Sequence, residues 1–122
     1  MAFALTALMG IALLRFPAHL ADTQWPAHAK AHLVSQIAVV VGLGLTGLAI
    51  LFGPFRRGRA WAWWCLLVSG LALFGGYWLA LAVAEPGLAW RSTHSLFAVL
   101  SALYTGGLAL GWRHCTPVGN GG

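Results

Sequence analysis

In a chain of 122 residues, hydrophobic residues make up 60% and charged residues only 7%. Soluble domains carry roughly 25% charged residues, so the composition excludes a water-soluble globular domain. The net charge of +5 comes from seven Lys and Arg against two acids. These bases sit at the ends of apolar stretches rather than in one solvated stripe, which argues for anionic lipid headgroups and against nucleic acid.

A helix that crosses a bilayer needs about 20 mainly apolar residues. Four windows meet that length, at 2–21, 31–53, 59–84 and 94–112. With no water inside a bilayer to satisfy backbone groups, segments of this length must be helices. The expected fold is an all-α integral membrane protein, a single four-helix transmembrane domain over 1–122 with short loops and a disordered tail at 116–122.

The first window has an unbroken apolar run only from Met1 to Leu14, which rises about 21 Å against a hydrocarbon core of about 30 Å. It must borrow Arg15 to Ala21. Arg15 can snorkel toward headgroups, and Pro17 is tolerated near a helix end. A cleaved signal peptide is the competing reading, but no positive residue precedes the apolar run.

The link after the second window reads Pro54-Phe55-Arg56-Arg57-Gly58-Arg59 and is the densest basic cluster of the chain. Positive loops stay cytoplasmic, so both termini are expected inside a bacterial inner membrane. Arg113 agrees with this orientation, and Arg15, Lys30 and Arg91 oppose it. The two acids, Asp22 and Glu85, fall outside, where salt bridges to Arg15 or Arg91 would use them. Trp61, Trp63, Trp64 and Trp112 form an inner interfacial belt, with Trp25, Trp78 and Trp90 toward the outer side. Cys65 and Cys115 fall near the reducing side and form no Cys-x-x-Cys pair, so neither a disulfide nor a thiol relay is expected.

Small residues recur every four positions at Ala72, Gly76, Ala80 and Ala84 in the third window, and at Ala98, Ala102 and Gly106 in the fourth. Such flat seams let helices approach closely, and helix contacts are expected at Ala72/Gly76 and Ala102/Gly106. Gly42, Gly44 and Gly47 either form a third seam or loosen the second helix.

Four of the five histidines, His19, His28, His32 and His94, fall on the outer side. His28, His32 and Gln36 share one helix face, and His94 reads as lying on the Ala98/Ala102/Gly106 stripe. If the two stripes converge, His32 and His94 can hold a cofactor: haem, a chlorophyll-type pigment or a metal. All four outer histidines are candidate metal ligands. Against this, histidine sits comfortably among headgroups without a ligand, and the zincin pattern needs a Glu where Ala29 stands. Ionisable residues inside spans are the usual sign of intramembrane chemistry. Here Ser35, Gln36, Thr46, Ser69, Tyr77, Ser101, Tyr104 and Thr105 are too scattered to mark a path, and no catalytic residue is assigned.

The segment Arg56-Arg57-Gly58-Arg59-Ala60-Trp61-Ala62-Trp63-Trp64 resembles the basic, tryptophan-rich turn of small four-helix bacterial membrane proteins, DoxX-like ones among them. It covers less than a tenth of the chain and follows from interfacial rules alone, so the resemblance implies a fold class and no activity. Cytochrome b561-type proteins differ by carrying histidines at both membrane faces of paired helices. The residues favour a non-catalytic multi-pass protein, an accessory or scaffold subunit packed against other membrane subunits of a respiratory, photosynthetic or transport assembly. The alternative is a small redox, haem, pigment or metal-handling protein that uses the outer histidines, with a quinone as a further candidate ligand.

Overall fold

The computed structural model describes residues 1–84 and 92–115. Glu85, Trp90, Arg91 and the tail at 116–122 lie outside the described residues, and with them the expected Glu85 salt bridge and tail disorder.

Helix α1 runs Ala2–Ala21 and carries Pro17 within it. Loss of the Pro17 N–H is tolerated near the end of the helix, as expected. The chain then turns at Asp22, whose carboxylate oxygen accepts from the Gln24 N–H at 2.8 Å. Pro26, with φ fixed at −58°, stands immediately before α2, Ala27–Ile50. That start is four residues earlier than the window at 31 implied, and it places His28 in the helix. Proline cannot continue a helix backward but is preorganised to begin one.

Helix α2 continues through a π-helical turn, Leu51–Phe55, which contains Pro54. The basic reversal follows at once. Arg57 and Arg59 both donate backbone N–H groups to the Pro54 carbonyl at 3.2 Å, and Gly58 donates to Phe55 at 2.9 Å. Gly58 has φ +68°, a left-handed conformation that costs glycine little and stops the helix.

The third apolar stretch is α3, Ala60–Gly70, a second π-helical turn, Leu71–Gly75, and α4, Gly76–Ala84. The fourth is α5, Ser92–Cys115. All ordered elements among the described residues are helical, and four stretches, Ala2–Ala21, Ala27–Phe55, Ala60–Val83 and Thr93–Cys115, are long and apolar enough to cross a membrane.

The core lies where α1 packs on α2 and where α5 packs on α1 and α3. Its largest fully buried side chains are Leu5, Leu66, Leu100 and Tyr104. Away from the core, long aliphatic side chains face outward on every helix, including Leu14, Leu45, Val68, Val83 and Leu110.

The packing seams differ from those expected. Gly76 and Gly106 have open space where a Cβ would stand, and Ala72, Ala80 and Ala102 are exposed. Neither expected stripe is a helix contact within the chain. The reason is helical phase: residues four apart drift by about 40° per step, so Gly106 lies about 120° round α5 from His94. The buried stripe of α5 instead carries His94, Phe97, Leu100, Tyr104 and Leu108, spaced by threes and fours so that the drift cancels. Close approach is made by other glycines. Gly44 and Gly47 admit Met9 and Leu5 of α1, and Gly70 admits the Tyr104 ring. The third seam on α2 is therefore real at Gly44 and Gly47, whereas Gly42 faces open space.

Candidate functional site

The two ends of the bundle are built differently. At the arginine end, Trp63 donates its indole N–H to the Leu108 carbonyl at 2.8 Å, and its ring meets Trp112 edge-on at 4.6 Å and Trp64 at 5.0 Å. His114 donates Nε2–H to the Arg56 carbonyl at 3.3 Å, which ties the end of α5 to the basic turn. Between the ends, the Tyr104 hydroxyl donates to the Leu66 carbonyl at 2.7 Å.

At the histidine end a cleft of about 600 Å³ opens between α1, α2, α4 and the start of α5. Its inner walls are aliphatic: Leu8 and Ile11 from α1, Val39, Val40 and Leu43 from α2, and Leu73 from the π turn. Ala72, Gly76 and Ala80 form one smooth side. The small residues of the third stretch thus line a space rather than a contact. The polar lining groups are His32, Ser35, Gln36 and Tyr77. Three of these come from the early turns of α2, one to three turns nearer the helix start than Val39 and Leu43, so the cleft is polar toward its outer end and apolar within. The Ser35 hydroxyl donates to the Ala31 carbonyl at 3.1 Å, its usual outlet in a helix.

Tyr77 is the fixed point of this end. Its ring stacks on Phe97 with centroids 3.8 Å apart and planes at 12°, and its hydroxyl shares a 2.7 Å hydrogen bond with Nδ1 of the buried His94. Beside it the Trp78 indole donates to the Ser101 hydroxyl at 3.1 Å, and Ser101 donates to the Phe97 carbonyl at 2.7 Å. This chain of polar contacts ties α4 to α5.

The four histidines marked as candidates separate into three settings. His19 stacks on Trp25 at 4.9 Å. His28 and His32 pair, with their Nε2 atoms 3.0 Å apart. His94 is buried under Tyr77, while His32 lines the cleft that Tyr77 also lines. Among the described residues no three His, Cys, Asp or Glu side chains gather as metal ligands. His32 lines the cleft, whereas His94 is linked to it by the hydrogen bond to Tyr77, a residue that the sequence offers only as one of several scattered polar groups. Its signal was its placement one residue after Gly76, on a helix whose small residues leave room beside it. Cys65 and Cys115 are free thiols.

No protein-family model matches this chain, and neither a curated protein nor a solved structure does. What fold and cleft define is a class: a chain whose described residues are helical and include four stretches long and apolar enough to cross a membrane, with a lateral cleft at one end.

Proposed function

We propose that this chain is a non-catalytic integral membrane protein that binds a membrane-dissolved amphiphile in the cleft at its histidine end. Membrane insertion is supported by the outward aliphatic surface, since soluble monomers rarely expose contiguous apolar patches of more than a few hundred Å². The observation that carries the binding reading is the polarity gradient of the cleft. Its volume of about 600 Å³ suits a single small-molecule tail, and a few convergent polar groups in an otherwise apolar pocket are what fixes an amphiphile's orientation. His32, Gln36 and Tyr77 would hydrogen-bond a carbonyl or hydroxyl head, with the tail lying along Val39, Leu43 and Ala72. A quinone or an isoprenoid alcohol has this shape. By the positive-inside rule the Arg56/Arg57/Arg59 turn faces the cytoplasm of a bacterial inner membrane, which puts both termini inside and opens the cleft toward the outer leaflet.

The test is extraction of protein purified in mild detergent, followed by mass spectrometry of the bound lipids. Wild type should carry a stoichiometric amphiphile, and Gly76→Leu, which fills the cleft wall, should lose it. Equal lipid content in the two proteins overturns the reading. A reporter fused at position 58 that is active in the periplasm would reverse the orientation.

A second reading, an accessory or scaffold subunit of a larger respiratory, photosynthetic or transport assembly, is favoured by the outward face of α5. Ala102 and Gly106 are exposed there, leaving a flat strip against which another membrane helix could pack. Comigration of a partner with wild type on native gels, lost in Gly106→Leu with the cleft lipid retained, would support it.

A further inference from the structure

The pairing of His28 and His32 has a geometry of its own. They stand four residues apart on the first turns of α2, so their side chains rise from one face of the helix. Their Nε2 atoms are 3.0 Å apart, with ring centroids at 4.3 Å and planes at 90°. Two imidazole nitrogens each about 2.1 Å from a metal ion, and at a right angle about it, are themselves about 3.0 Å apart. Both rings are exposed, so an ion can reach them and keep water in its remaining positions.

We propose that His28 and His32 form a two-imidazole site for a divalent transition metal of the Cu²⁺ or Ni²⁺ class, whose square-planar or tetragonal geometry sets neighbouring ligands at right angles, at the mouth of the cleft. Imidazole selects these borderline ions over Mg²⁺ and Ca²⁺, which take oxygen ligands. In the metal-free protein the same 3.0 Å is spanned by a hydrogen bond between one protonated and one unprotonated nitrogen. When a metal binds, the donor ring carries its proton on Nδ1 instead, which frees both Nε2 lone pairs for the ion, and the two nitrogens already stand at the separation that ligation needs. Lys30 and the positive end of the α2 dipole oppose a cation here, so affinity comes from the metal–nitrogen bonds rather than from the surrounding field. His19, stacked on Trp25, and His114, held at the opposite end, are left out of the site.

The site shares His32 with the cleft but needs nothing bound there, and its test uses metal alone, on protein whose cleft lipid is counted in parallel. Tag-free protein in detergent is titrated with Cu²⁺, with bound ion counted by equilibrium dialysis and its ligands read by electron paramagnetic resonance. One saturable equivalent with a two-nitrogen signature is expected. His28→Ala and His32→Ala should each weaken binding by about tenfold or more, because one imidazole alone makes no chelate. His19→Ala and His114→Ala should bind as wild type does, and circular dichroism should show all four variants folded. Binding that survives in the His28→Ala/His32→Ala double variant, or that is lost equally in His19→Ala, overturns the proposal, as does wild type that binds no more ion than the double variant.

Discussion

The arginine half and the histidine half of this bundle use the same residue types to opposite ends. In the lower half, glycines face large side chains: Gly70 receives the Tyr104 ring and Gly111 receives Phe55. In the upper half, Ala72, Gly76 and Ala80 face no helix and border a cleft. A small residue closes a bundle only where the opposing helix offers something large to fill the space. Where nothing is offered, the same residue opens one.

The contrast is broken most severely at Gly70. Gly70→Leu would place a side chain inside the Tyr104 ring, which is 1% exposed and has nowhere to move. Overpacking of this kind costs about 3 kcal/mol, at the upper end of its usual range. Thermal or detergent-induced unfolding should show a much lowered transition and poor recovery of folded protein. If Gly70→Leu is as stable as wild type, the lower half is not the sealed half.

A smaller effect is expected for Tyr104→Phe. The ring stays, but the 2.7 Å bond to the Leu66 carbonyl is lost, at a cost of about 1 kcal/mol because that carbonyl remains inside a helix ladder. Tyr77→Phe, at the upper end, removes the bond to buried His94 and should cost about 1–3 kcal/mol if the imidazole is left poorly satisfied. Comparing the two in one unfolding assay ranks the polar ties of the two halves.

Least of all is expected from Gly76→Leu and Gly106→Leu, since neither position has an atom within 4 Å of an added Cβ. Stability of the isolated chain should change by no more than about 0.5 kcal/mol. A large loss at Gly76 would mean that the cleft is closed in the protein.

Much of the fold was legible because length and hydropathy act residue by residue. The first helix was read at its full extent, and the third stretch was read as one continuous span, as four candidate spans in the structure bear out. What failed was phase. A stripe of every fourth residue looks like a face on paper, yet it winds around the helix, so the seams of α4 and α5 were assigned to contacts they do not make. The site was half legible. His28, His32 and His94 stood out by residue type, but that His94 would be buried, and that Tyr77 would join it to the cleft, depends on the rotation of α4 relative to α5. No local pattern carries that rotation.

The rotation itself traces to the π-helical turn at Leu71–Gly75. A π turn holds one residue more than the α-helical turn it replaces, so everything after it is set round by roughly 100° relative to a regular helix. Leu73 and Phe74 are both buried across this turn, and beyond it Tyr77 and Trp78 both reach α5. The extra residue acts as an indexing step between two rigid rods. Shortening the chain by one residue anywhere in 71–75 would give a more regular helix and a worse protein: α3 would keep its fit below, while Tyr77 and Trp78 would swing off their partners together. Among homologous sequences, single-residue gaps in this turn should therefore be accompanied by changes at positions 77, 78, 94 and 101 as a group.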